Sequence, residues 1–316
     1  MRKKIINETH IEGYVYEHNL SLKVSGPNSK NPGTEFITGS LSIATDDACV
    51  NIVPVHFTYV TATTSKGGAN ATFSLLKSII DKTTKSIMEH GKDEANLVRV
   101  DSAIGLNEFY TDRSGKEELV SAKRNEGGFA HPMTVNDLKA ENERNTFKCD
   151  MLITNVSLKE ADEEKGLAEK AIVKGAIFDF RQSLLPVEFS VVRPEGIDYF
   201  MGLGASQSEP VFTQVWGNQI SETVIKREEI ASAFGGSQIK ETKSTRKDFV
   251  IEGAKPETYV WDSEDITAAE VTEKMAEREV YLADIKKRQD EYKASKNNAI
   301  PAAAAPSAPK AGAFNF

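Results

Sequence analysis

The sequence predicts a mainly β protein with some helix: two related small barrels in tandem, a C-terminal helix and a disordered tail. Three observations carry this. A strand is written twice, as Val53-Pro54-Val55-His56-Phe57-Thr58-Tyr59-Val60 and Leu185-Pro186-Val187-Glu188-Phe189-Ser190-Val191-Val192. Each copy follows a matching strand, Ile37-Thr38-Gly39-Ser40-Leu41 or Val173-Lys174-Gly175-Ala176-Ile177, with a turn four residues shorter the second time. A repeated hairpin means a repeated domain. Beyond both copies the chain changes character, to a capped helical stretch and an Ala/Pro-rich end.

The first unit is residues 1–124. Ile11-Glu12-Gly13-Tyr14-Val15-Tyr16 alternates as a half-buried strand does, and Leu20 to Val24 continues it. Residues 25–33 are a loop of Gly, Pro, Asn and Ser. Phe36 to Thr45 and Val50 to Thr61 make the hairpin. A flexible loop, Thr64 to Ala69, leads to Asn70, which can cap a helix from Ala71 to Met88 ended by Gly91. Phe73, Leu76, Ile80 and Ile87 share its apolar face. Strands near Leu97–Ile104 and Leu119–Ala122 complete the unit. Three strands, a helix and two strands is the order of an oligonucleotide-binding (OB) barrel.

Residues 125–146, polar and glycine-bearing at the start, read as a linker or insertion. The second OB-like unit is 147–262. Its strands are Met151–Leu158, Ala171–Phe180, Leu184–Val192, Val211–Ile225 and Asp248–Ile251, with a short helix at Glu195–Leu203. Between the last two strands lies the most basic stretch, Lys240 to Lys247, which reads as a loop. Thr267 and Glu270 form a capping box for a helix within 263–296. Its stripe, Val271, Met275, Leu282, Ile285 and Tyr292, is broken by Arg278 and Gln289, which suits a docked or partner-binding helix better than a coiled coil. Residues 297–316 read as a disordered tether.

Strand alternation assigns faces. Val55, Phe57, Val187, Phe189, Ile37, Leu41, Val173 and Ile177 face the cores. Tyr14, Tyr16, Phe36, Phe178, Phe180 and Trp216 then point outward, Phe212 sharing the Trp216 face, as do Lys174 and Ala176 in the second copy. Outward rings on such a barrel can stack unpaired bases, and nearby cations can track phosphates. Lys23 and Lys30 flank the first face; the loop Thr64 to Asn70 can fold over a strand so that Lys66 and its backbone amides meet phosphate; Lys174, Arg181, Lys243, Arg246 and Lys247 can flank the second. The other reading of each outward ring is a contact covered by the neighbouring domain or the C-terminal helix.

Composition bounds the rest. A formal charge of −8 counts against a carpet-like polyanion binder, although many acids fall in 257–291, away from any groove. Cys49 and Cys149 match no ligand spacing and suit thiols of a reducing cytoplasm. No apolar run approaches a membrane span. The five histidines, His10, His18, His56, His90 and His131, are scattered, and Lys66-Gly67-Gly68 lacks the spacing of a nucleotide loop. Neither a cofactor nor a catalytic constellation is indicated.

The strand after Asn7, the Gly39 to Asp46 strand and the Asn51 to Phe57 strand resemble the front half of OB-family single-stranded DNA-binding proteins. The whole chain, tandem barrels with a helical tail, resembles those encoded by bacteriophages of Gram-positive hosts. The resemblance implies a non-enzymatic protein that coats single-stranded DNA in replication and recombination, in the cytoplasm of the cell or host. It also implies self-association, and contacts to replication or recombination proteins through the C-terminal helix or tail. One departure is the Phe314-Asn315-Phe316 tip, whose tether carries Lys310 and no acids where bacterial relatives have an acidic tail. The alternative is a phage structural or assembly protein whose β domains pack on copies of themselves.

Overall fold

The computed structural model describes residues 5–113, 116–161, 168–230, 238–259 and 267–298, with backbone alone at 113, 222–230, 238–246 and 295–298. Of the tail expected at 297–316, the residues from 299 onward lie outside the described residues.

Two five-stranded barrels close by the same pairing. In the first, β1 (Asn7–His18) pairs antiparallel with β3 (Glu35–Ala44), β3 with β4 (Ile52–Thr61), and β5 (Leu97–Arg113) with both β1 and β6 (Lys116–Met133). A short parallel contact of β4 with β6, at Val55↔Asn125 and His56↔Glu126, shuts the ring. In the second, β7 (Asn145–Lys159), β8 (Lys170–Phe178), β9 (Leu184–Val191), β10 (Val211–Ile230) and β11 (Gln238–Ala254) repeat it, with the parallel contact at Ser190↔Val250. An extra strand, β2 (Ser21–Val24), lengthens the start of β3. The helices α1 (Ala71–Ile80) and α3 (Pro194–Gly202) each fall between the third and fourth barrel strands, the OB order.

The eight positions assigned to the cores are all buried. Their hairpins, however, align two residues differently from the sequence match. Pro54 faces Ser42 and Pro186 faces Ala176, so Ser42 rather than Ser40 corresponds to Ala176. A two-residue slip keeps every side chain on its face, which is why the face assignment survives it. In the second core Phe147, Phe189 and Phe249 form a ring cluster with centroids 5.1–5.8 Å apart. Each such side chain contributes about 1.5–3 kcal/mol by leaving water.

Three expectations need correction. Residues 125–133 are not linker but the second half of β6. Gly127 and Gly128, at φ +68° and +108°, form a bulge there, so the glycines that suggest a linker instead bend a strand. The helix expected to reach Met88 stops at Ile80. Lys82 turns left-handed at φ +61°, and a separate turn of helix, α2 (Ile87–His90), follows. The buried face of α1 is Thr72, Leu75, Leu76 and Ile79, and Asn70 caps it by accepting from the Thr72 amide at 3.1 Å. Lastly, the basic stretch 240–247 is strand, paired with residues 221–228 of β10.

The barrels are fused. β1 pairs antiparallel with β7 from Asn7↔Cys149 to Ile11↔Asn145, which makes a continuous sheet β6-β5-β1-β7-β10-β11. The β5–β6 ribbon also leaves its own barrel to finish the other: Ile104 and Leu106 belong to the second core. In return β10 lays Gln219 against Asn125, their amides bonded reciprocally at 2.7 and 3.0 Å in a buried site.

Helix α4 (Ala268–Asn298) starts at the expected capping box, Thr267 and Glu270. It docks within the chain. Its two polar breaks are its anchors: Arg278 pairs with Glu108, and Gln289 accepts from the Tyr110 amide at 2.9 Å. Met275 and Tyr292, expected on the stripe, are exposed.

Candidate nucleic-acid interface

The outer surface of β3 and β4 is the face an OB barrel offers to oligonucleotides. Here it carries a pair of rings. Phe36 and Tyr59 lie with centroids 4.5 Å apart and planes tilted by 34°. Strict alternation from inward Phe57 would bury Tyr59. A bulge prevents this: Ile37 faces Val60 while Gly39 faces Phe57, so both Thr58 and Tyr59 oppose Thr38. The extra residue turns Tyr59 outward, where it is 46 % exposed and its hydroxyl meets the Ser25 Oγ at 3.1 Å. Sequence periodicity missed this residue; the signal that could have found it is the Gly39 opposite the bulge.

Three of the expected cations gather at this end. Lys23 lies on β2 directly across from Phe36. Lys30 projects from the loop before β3, and Lys66 sits at the tip of a tight turn closed by Thr64 and Gly68. All three are exposed and make no ion pair among the described residues. Between Glu17 and Asp81 the sequence holds three acids, Glu35, Asp46 and Asp47. The two aspartates are at the far end of β3. Asp46 accepts from the Val50 and Asn51 amides, and Arg144, 2.7 Å away, holds the Asp47 carboxyl below the usual range. His56, on the same sheet, is pushed down by burial and by the Arg124 charge, and contacts Ser40 at 3.2 Å.

The other expected residues lie elsewhere. Tyr14 faces Ala44, about 26 Å along β3 from Phe36. Its ring is covered by the Lys92 ammonium at 5.3 Å, beside a cleft of about 390 Å³. Tyr16 is the bulged residue of β1 and is half-buried. Phe180 is 84 % exposed on the β8–β9 turn with Arg181 stacked over it at 5.1 Å. Lys174 is tied to Glu188 at 2.9 Å. Lys247 is exposed; the side chains of Lys243 and Arg246 lie outside the described residues.

Phe178 does not present an open face. With Leu152, Ala176, Leu184 and Phe212 it forms a second apolar layer outside the barrel, covered by Ile5, Tyr259 and Val271 of α4. The covering reading thus holds for Phe178 and Phe212. Trp216, by contrast, remains 40 % exposed between Lys148 of β7 and Gly253 of β11.

Among the described residues no group of three or more His, Cys, Asp or Glu could hold a metal ion. No described helix is long and apolar enough to cross a membrane. Both cysteines are unpaired, and burial pushes both thiols up.

A family model described as YorF matches residues 5–288. No curated protein matches the chain. Among solved structures, the wild-type single-stranded DNA-binding protein from Thermus aquaticus is similar at 10 % identity and a TM-score of 0.44, covering 82 % of this chain and 96 % of that one. A deletion mutant of that protein gives 8 % identity and a TM-score of 0.43, covering 79 % and 94 %.

Proposed function

The chain belongs to the YorF family, and we propose that it binds single-stranded DNA on the outer face of β3 and β4. The observation that carries this is the Phe36–Tyr59 pair, set outside a closed barrel whose interior already has its own apolar residues, with Lys23, Lys30 and Lys66 around it. Core packing does not require those rings. Unpaired bases do: stacking is worth about 1–3 kcal/mol per base and accepts any sequence. The lysines meet the phosphates and displace counterions, so affinity falls with salt. A duplex keeps its base faces stacked and gains only the electrostatic part.

In this reading Tyr14, Tyr16, Phe180, Arg181 and Lys247 are outlying contacts, while buried Phe178 and ion-paired Lys174 take no part. Coating of strands exposed during replication or recombination of a phage genome is the role that fits such sequence-blind binding.

The test is the double variant Phe36→Ala/Tyr59→Ala, titrated with labelled oligo-dT, duplex DNA and oligo-U. Two lost rings should weaken oligo-dT binding by at least about tenfold. Circular dichroism should stay unchanged, because neither ring is in a core. Wild-type affinity in that variant would remove this face from the site, and a preference for duplex would overturn the function.

A further inference from the structure

We infer that Trp216 forms a second stacking site for the same strand, on the outside of the second barrel, and that Gly253 is the residue that positions it. The inference rests on the proposal that the chain binds single strands.

Trp216 lies on β10 with Gly253 directly across on β11. A Cβ added at 253 would stand 2.6 Å from the indole Nε1 and Cε2 and 2.7 Å from Cζ2. The indole therefore lies over the glycine, where any other residue would lift it off. One ring face rests on backbone, yet the residue is still 40 % exposed. That is a flat platform with its second face turned to water.

The surroundings select the occupant. On the strand facing Trp216 from the other side is Lys148, exposed and without an ion pair among the described residues. Lys255, two residues past Gly253, holds its ammonium 5.2 Å over the Tyr259 ring. Nearby carboxylates are engaged or a strand away. Asp150 is buried and accepts from Ile6, Gln214 and Tyr259; Arg193 holds Glu252 at 2.6 Å; exposed Glu8 lies beyond Lys148 on β1. A protein partner would need a contiguous apolar patch. Along these strands Trp216 has Thr146, Lys148 and Asn218 on one side and the buried, hydrogen-bonded Gln214–Asp150 pair on the other, so a lone exposed ring beside Lys148 suits a base with its phosphate.

Tryptophan emission reads this site directly, because the chain has only two tryptophans and Trp261→Phe leaves Trp216 alone. In that background a long oligo-dT should quench the emission. Phe36→Ala/Tyr59→Ala should weaken the binding but leave the quench at saturation. Gly253→Ala should abolish most of the quench and lower affinity by about tenfold, the low-to-middle range for one stacked base. Lys148→Gln, which leaves the platform intact, should keep the quench and reduce the salt slope by about 0.7. If oligo-dT binds at full strength while Trp216 emission does not move and Gly253→Ala has no effect, this second site is wrong and the first stands. If oligo-dT does not bind the full-length protein at all, the proposed function itself fails.

Discussion

Replacing Arg278 with methionine should cost the protein about 3 kcal/mol, because it strands a carboxylate in the interface that holds α4. The Glu108 side chain is 1 % exposed and that of Arg278 is 11 % exposed. Removing one partner from such a buried pair costs about 3–5 kcal/mol. The Ser121 hydroxyl, which donates to Glu108 at 3.0 Å, remains and holds the loss to the lower end. The Leu184 carbonyl, 3.5 Å from the guanidinium, loses little. Deleting both charges is a different matter: Arg278→Met with Glu108→Leu leaves no buried ion and should recover most of the loss. Urea unfolding of the two single variants and the double variant closes a cycle, whose coupling should be about 2 kcal/mol or more. A single-variant cost under about 1 kcal/mol, or additive losses, would refute the idea that this pair fastens the helix. Hydrogen exchange of the α4 amides gives the local readout, and should speed up in Arg278→Met first.

Two further outcomes follow from backbone and charge. Gly128→Ala places a Cβ 2.1 Å from the Asp101 carbonyl oxygen at φ +108°, while Gly127→Ala meets nothing within 4 Å at φ +68°. The first should lower stability by more than about 2 kcal/mol and the second by about 1 kcal/mol; equal thermal melts would show that the bulge does not depend on Gly128. His56 is pushed below its ordinary 6.5 by burial and by Arg124, so the unfolded chain takes up a proton that the folded one resists. The corresponding stability is complete above pH 6.5 and is lost as pH falls through the lower, folded value. His56→Gln should flatten that slope, and an unchanged pH profile would remove His56 as its source.

What could be read from the sequence was whatever buries one face. Val55, Phe57, Val187 and Phe189 announced the cores because a barrel strand with a dry side must alternate. Asn70 and the Thr267–Glu270 pair announced helix starts because a cap is a local event. The two long ribbons were half invisible for the converse reason. On the β5–β6 ribbon burial comes from distant pieces of chain, of Leu106 by the second core and of Glu108 by Arg278, so 105–118 shows no alternation, while the charged run 240–247 on the other ribbon reads as loop. Tyr59 escaped because one bulge inverts the phase of a strand. Phe178 misled because its outward direction is real, but Ile5, Tyr259 and Val271, distant in sequence, arrive to cover it. Likewise Arg278 and Gln289 looked like defects in a stripe only because their partners lie on another domain.

The loan of Ile104 and Leu106 to the second core has a consequence for how the chain comes into being. A ribosome finishes residues 5–133 well before it reaches Ile251, on the last strand of the core that takes up those two side chains. Until then the N-terminal half carries a sticky projection with nowhere to put it, and the C-terminal half, once made, lacks its stopper. Neither half is a finished article by itself, so cutting the gene at the boundary between them should yield two insoluble fragments that become soluble only when made together.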